Sequence, residues 1–241
     1  MALCMTKHEA QLRGALARGD GDTLVQFLTS EPWPEHSLQL IGDGLLVALG
    51  QGVQDASRPA GACVVALRER DWEGDDELAD SLEARLGTAP IRLLRPLTVD
   101  LEELATVLEG DPVHGGGRID LRNGEVWPAA AIEYAEESGE LDPDEDDDQH
   151  RWLRVDTSGS RSGYQDMKLF ISDIDDAEVA DRLSIAISGR GAFRRFRDTL
   201  SSWPDLFTRW QAFSDDRQRG RARAWLADEG YAPTTRDRAD S

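Results

Sequence analysis

Seven arginines in the last third of this chain are spaced as an anion grip would be. Arg190, Arg194 and Arg197 lie in SGRGAFRRFRD, residues 188–198. On a helix starting near Gly191, about 100° per residue lines them up beside an apolar face carrying Phe193 and Phe196. Gly191 and the first unbonded N–H groups could add an anion-binding end. Arg217, Arg219, Arg221 and Arg223 alternate through DDRQRGRARAW, with Phe213 and Trp225 on either side. Guanidinium groups beside aromatic rings suit phosphate or single-stranded nucleic acid. Each group also has a plainer reading. The formal charge is −20, so the first stripe has many carboxylates of its own to pair with, and no phosphate-loop signature accompanies it. The second fits a solvated helix face, with Asp215 four residues before Arg219 and Asp215 and Asp216 partly cancelling the charge.

Other reactive residue types form no coherent constellation. His8, His36, His114 and His150 show no metal-binding spacing. HGGGR, residues 114–118, resembles an oxyanion or phosphate loop in composition. However, GSRSG at 159–163 places serine in the wrong slots for a nucleophile elbow, so the glycines read as a flexible entry to a hairpin. The acidic run at 144–148 has no calcium-loop glycine or closing glutamate, and like charges in a block favour a solvated linker. Cys4 and Cys63 are the only cysteines, too few for a disulfide framework, and Cys63 in ACVVAL reads as a small buried hydrophobe. No cofactor and no metal are expected.

The bulk properties narrow the setting. A chain of 241 residues can bury one large core or two modest ones. The strong negative charge opposes non-specific binding to nucleic acid or anionic membrane, leaving nucleic acid as a partner only at low salt through a local basic patch. MALCMTKHEA lacks the apolar core of a signal peptide, and no run reaches a membrane span. A soluble cytoplasmic protein is expected.

The elements that must position these residues follow from periodicity. Residues 6–88 read as amphipathic helices, with Asp22 as one N-cap, Asp75 and Asp76 at another helix start and Gly87 as a C-cap. The prolines and extended stretch of 89–99 mark a boundary. Asp100 and Glu103 form a capping-box pattern opening the next helix. Arg118 to Trp127 alternates around Asn123-Gly124, predicting a hairpin on a type I′ turn with Leu121 opposite Val126. RWLRVD, residues 151–156, alternates again and predicts a third antiparallel strand. Tyr164, Met167, Phe170, Ile171 and Ile174 make a helical stripe. Asp175 or Asp176 caps the following helix, and Gly189 stops it. Phe193, Phe196, Leu200 and Trp203 then read as a core-facing row, followed by Leu206, Phe207, Trp210 and Phe213.

The ordered series IDLRNGEVWPAA, RWLRVD, SGYQDMKLFI, GRGAFRRFRD and AWLADEGY resembles an uncharacterised bacterial protein family of the UPF class, across roughly 97–231. WPEHSLQLIGDGLL and ERDWEGDDELAD resemble the longer members of that group. The resemblance implies no activity and no catalytic residues. It does imply that hairpin, strand and C-terminal helices form one unit.

The expectation is therefore an α+β, mostly helical protein. A helical module covers 1–95. An α+β domain covers 96–231, with an acidic linker at 136–149, and a flexible tail covers 232–241. The small antiparallel sheet, hairpin 118–127 plus strand 151–156, is packed by C-terminal helices. Without a catalytic constellation, a non-enzymatic binding or regulatory module with a protein partner is the leading functional reading. Nucleic-acid or phosphate binding through the arginines is the rival. An enzyme would need a deep pocket with convergent polar groups. Oligomeric state is not legible.

Overall fold

The computed structural model describes residues 7–110, 115–139 and 150–234. The expectations placed on Cys4, His114 and the acidic run 144–148 lie outside the described residues. Eleven helices and five strands occur among the described residues, in an α+β and mostly helical arrangement.

The chain begins with α1 (Lys7–Ala17), α2 (Gly21–Ser30), α3 (Leu38–Gly50), α4 (Ser57–Arg70) and α5 (Asp75–Leu86). Their shared core contains Leu24, Ile41, Leu45, Leu67, Leu78 and Leu82. Asp20, not Asp22, caps α2: its carboxylate accepts the Thr23 N–H at 3.0 Å, which leaves Asp22 inside the first turn. Cys63 is buried in this core, where desolvation pushes its thiol up to about 12. It is an inert packing residue, as its apolar neighbours predict.

β1 (Arg95–Thr98) and α6 (Leu101–Leu108) follow. Asp100 caps α6, accepting the Glu102 and Glu103 N–H groups at 2.7 and 3.3 Å. β2 (Gly117–Asp120) then lies between β3 (Val126–Pro128) and β4 (Trp152–Val155), antiparallel to both. The hairpin register differs from the expected one. Ile119, not Leu121, faces Val126. Gly124 takes φ +74° while Asn123 does not take a positive φ, so a two-residue type I′ turn is excluded. Asp120 is the cause. Its carbonyl accepts the Asn123 and Gly124 N–H groups, and its carboxylate accepts the Arg122 N–H at 2.9 Å. This ties residues 121–124 into a longer loop. Gly124 also presses on β1, and a Cβ there would stand 1.6 Å from the Thr98 carbonyl oxygen.

α7 (Ala129–Ser138) runs on from β3 and includes Glu136 and Glu137, which the sequence assigns to a linker. The remaining helices are α8 (Ser160–Ser172), α9 (Ala177–Ala186), α10 (Ala192–Leu200) and the 25-residue α11 (Pro204–Asp228). Asp176 is the cap of α9. The chain then forms β5 (Tyr231–Thr234), parallel to β1, where periodicity suggests a frayed tail.

Contacts divide the chain into two units. One takes the chain up to Arg92 together with Ser162–Gly220; the other takes Leu93–Arg161 and the chain from Arg221 onward. In the first unit, α8, α9, α10 and the start of α11 bury Met167, Phe170, Leu183, Phe196, Leu200 and Phe213, with Trp72 packed against them. In the second unit, Ala222 and Leu226 of α11 join Leu104, Ile119, Val126, Val155 and Tyr231. The last helix is thus shared out: Ala222, Trp225 and Leu226 near its end pack with residues of the strands. No helix among the described residues is long and apolar enough to cross a membrane.

Candidate functional site: an exposed arginine face on α10

The arginine stripe owes its position to a tight corner between α9 and α10. Val179, Leu183 and Ala186 bury the inner face of α9. The corner then passes through Gly189 and Gly191, at φ +81° and +72°, conformations that glycine adopts without a Cβ penalty. Arg195 closes the corner from the far side. Its guanidinium donates to the Ala186 carbonyl at 3.0 Å and to the Ser188 and Arg190 carbonyls. The Ala186 carbonyl is one that the end of α9 leaves without a helical partner, and the other two belong to the connecting turn. Arg195 is therefore spent on architecture.

α10 is held by its apolar side. Ala192, Phe196 and Leu200 are buried. The Phe196 ring stands edge-on to Trp210 at 4.8 Å and to Phe170 at 6.4 Å. With that side fixed, helical geometry puts Phe193 at the border of the buried face and carries Arg197 and then Arg194 outward from it, while Arg190 belongs to the turn just before the helix. All four are exposed. Arg194 is 90% exposed and has only Asp198 nearby, at 3.6 Å, one turn along the helix. Arg190 and Arg197 form no ion pair among the described residues. The expected internal pairing of this stripe is not what these residues show.

Phe193 corrects a second expectation. Its spacing assigns it to the core, yet it is 43% exposed. Its ring lies over Gly163 of α8, where an added Cβ would come within 3.0 Å of the ring edge. The side chain is held at the rim of the core with part of its surface in water.

The second arginine group turns inward. Arg217 pairs with the buried Asp166 at 2.9 Å and lies over the Trp72 ring. Arg219 pairs with Asp43 at 2.7 Å. Arg221, 7% exposed, pairs with Glu109, and Arg223 is 2% exposed. Neither a solvated face nor a nucleic-acid surface describes these four residues. Between Arg217 and Arg219 on the same helix side lies a buried polar latch that sequence reasoning missed. Arg70 holds Asp75 through two bonds, at 2.7 and 2.9 Å, and also reaches Asp216. Gln39 donates its backbone N–H to Asp216 at 2.9 Å and its amide to Asp75 at 2.8 Å. Asp75 also takes the Trp72 N–H at 3.0 Å. Asp75 reads in the sequence as a helix-dipole charge, and nothing in its spacing announces a guanidinium partner. This latch has every polar group engaged, so it binds the fold and leaves no free acid or base.

Two further charged residues have perturbed surroundings. Burial alone would raise the Asp120 carboxyl, but hydrogen bonds from Arg122 and Arg151 outweigh it and hold the group below its ordinary value. Burial among rings lowers His36, which stacks on Trp72 at 6.1 Å and meets Phe213 edge-on at 5.2 Å. Among the described residues no group of three or more His, Cys, Asp or Glu is placed to hold a metal ion.

Exposed arginine side chains and a partly exposed ring thus stand at α10 of an α+β, mostly helical protein. The pattern of the uncharacterised protein family UPF0158 matches residues 94–241, and the chain belongs to that family. A UPF0158 protein of Pseudomonas aeruginosa is 27% identical over 143 residues, which cover 59% of this chain and 90% of the relative, so the relative is the shorter chain. No solved structure matches this chain.

Proposed function

We propose that the chain is a non-enzymatic, cytoplasmic protein-binding module that docks its partner on the outer face of α10. The observation that supports this reading is the company Phe193 keeps. A partly exposed aromatic ring, its far edge resting against Gly163, shares α10 with the exposed Arg194 and Arg197, and the exposed Arg190 lies in the turn just before that helix. Arginine and large aromatic side chains contribute most of the energy in protein interfaces. Phe193, Arg194 and Arg197 also lie on a helix anchored by a packed aromatic cluster, so binding has little backbone to order and chiefly the arginine side chains to fix. Of the seven arginines singled out in the sequence, the other four are spent on the protein's own carboxylates or buried, and Arg190, Arg194 and Arg197 are the three that face outward.

The test is recovery of a stoichiometric partner on the immobilised full chain from a lysate of the source organism. Phe193→Ser and Arg194→Glu should each keep the circular dichroism of the parent and remain folded at the assay temperature, Phe193→Ser with a lowered melting point because part of its ring is buried, and each should lose that partner. Absence of any stoichiometric partner, or its retention by both variants, would overturn the reading.

A further inference from the structure

The chemistry of this face points to one kind of occupant. Resting on the protein-binding reading above, we infer that the α10 face recognises a short acidic peptide segment that carries an apolar anchor residue. Three features select it. First, Arg190, Arg194 and Arg197 offer planar forks of donors that match carboxylates in paired hydrogen bonds. Arg190 and Arg197 have no carboxylate of this protein among the described residues, and the single neighbour of Arg194, Asp198, lies at 3.6 Å on an exposed turn where a partner's carboxylate can replace it. Second, Phe193 stands at one edge of the arginine face, 43% exposed and propped on Gly163. An apolar side chain set among acidic ones would cover the ring while its neighbours meet the guanidinium groups. Third, the chain's net charge of −20 sets the size of the ligand. Its field repels a long polyanion more than a short peptide. Three arginines on a nucleic-acid strand give a salt slope of only about −2 in log K against log salt, a small gain against that repulsion. A peptide with three or four carboxylates and one apolar anchor uses the same arginines, adds the ring, and brings less charge.

Fluorescence anisotropy of the full chain decides the matter. The probes are a labelled 12-residue peptide of Asp and Glu with a central leucine, the same peptide with Asn and Gln in place of the acids, the same acidic peptide with glycine for leucine, and a 12-nucleotide oligouridine. The acidic leucine peptide should bind saturably, and raising salt should weaken it. The amide peptide should lose at least tenfold in affinity and the glycine peptide severalfold. Arg194→Glu with Arg197→Glu should reduce binding at least tenfold, and Phe193→Ser severalfold. Arg154→Glu, an exposed charge on β4, should leave it unchanged. Melting curves confirm that each variant is folded. The inference is overturned if the acidic peptide does not bind, if the charge-reversed variant binds as the parent does, if the glycine peptide and Phe193→Ser show no loss, or if oligouridine binds more tightly through the same arginines. A partner recovered from lysate and lost by Phe193→Ser, with no acidic peptide bound, would refute the peptide chemistry alone and leave the docking face standing.

Discussion

At the scale of single residues, neighbouring arginines in one short segment have opposite duties. Arg195 donates to three carbonyls at the α9–α10 corner, whereas Arg194 and Arg197 face water. Arg195→Met should therefore cost about 1–2 kcal/mol in urea unfolding, because a charged donor leaves acceptors behind. Arg197→Met should stay within about 0.5 kcal/mol, as exposed substitutions do. Equal costs for the two would refute the assignment. Sequence spacing separates these residues only partly: it puts Arg194 and Arg197 on a stripe, but the reach of Arg195 back to Ala186 depends on the corner's geometry. His36 offers a second test. Burial lowers its folded pKa below the unfolded 6.5, with Glu35 opposing and Arg209 assisting. The unfolded chain then binds more protons in that window. The stability His36 confers is present above pH 6.5 and is lost as pH falls toward the lowered folded value. Unfolding at pH 7 and pH 5 should show this loss, and His36→Asn, which tolerates the residue's φ of +51°, should flatten it. An unchanged slope in the variant would assign the pH dependence elsewhere.

At the scale of elements, periodicity succeeds where one face is buried and fails where a tertiary contact sets the geometry. The stripes of α8 and α9 are legible because Met167, Phe170, Val179 and Leu183 repeat at helical intervals and are buried. The strands β2 and β4 are legible from alternation. Their hairpin register is not, because Asp120 reorganises the loop through its own side chain and carbonyl. Nor is β5 legible, since four residues containing a proline become a strand only by pairing with β1, far away in sequence. Gly220 shows the same limit. In the interior of α11 it reads as a helix weakener worth about 1 kcal/mol against alanine. Yet a Cβ there would stand 2.3 Å from the Glu73 carbonyl oxygen, and one on Gly74 would stand 2.0 Å from the Gly220 carbonyl oxygen. Backbone atoms on both sides cannot yield as side chains do, so overpacking of about 1–3 kcal/mol exceeds the propensity gain. Gly220→Ala should accordingly destabilise the protein. Gly74→Ala should do so more strongly, because φ there is +85°. If Gly220→Ala raised the melting temperature, the close approach of α11 to the α4–α5 turn would be wrong.

At the scale of the whole molecule, the family match and the contact units divide the chain differently. The family pattern begins at residue 94, next to the boundary at Arg92, but the first unit draws its second part, Ser162–Gly220, from inside the matched region. A linear reading into a helical module and an α+β domain has no place for such a return, because periodicity reports which face of a helix is apolar and not which distant helix covers it. The return is held by ion pairs as well as packing. Asp216 meets Arg70 and Gln39, Arg219 meets Asp43, and Trp72 packs against the cluster around Phe213. A chain produced without residues 1–93 would keep Asp216 while losing both of these partners, and a buried charge stripped of its partner typically costs about 3–5 kcal/mol. That is a large share of the stability of any domain. The shortened chain should therefore retain helical far-ultraviolet dichroism but lose the near-ultraviolet signal of Trp203, Trp210 and Phe213. Its α8–α11 amides should exchange rapidly, while those of β2 and β4, which belong to the other unit, stay protected. Residues 1–93 added in trans should restore the aromatic signal, because they supply Arg70, Gln39, Asp43 and Trp72 together. If the shortened chain kept a native aromatic signal by itself, α8–α11 would not depend on the N-terminal helices, and the face on α10 would rest on the family-matched region alone.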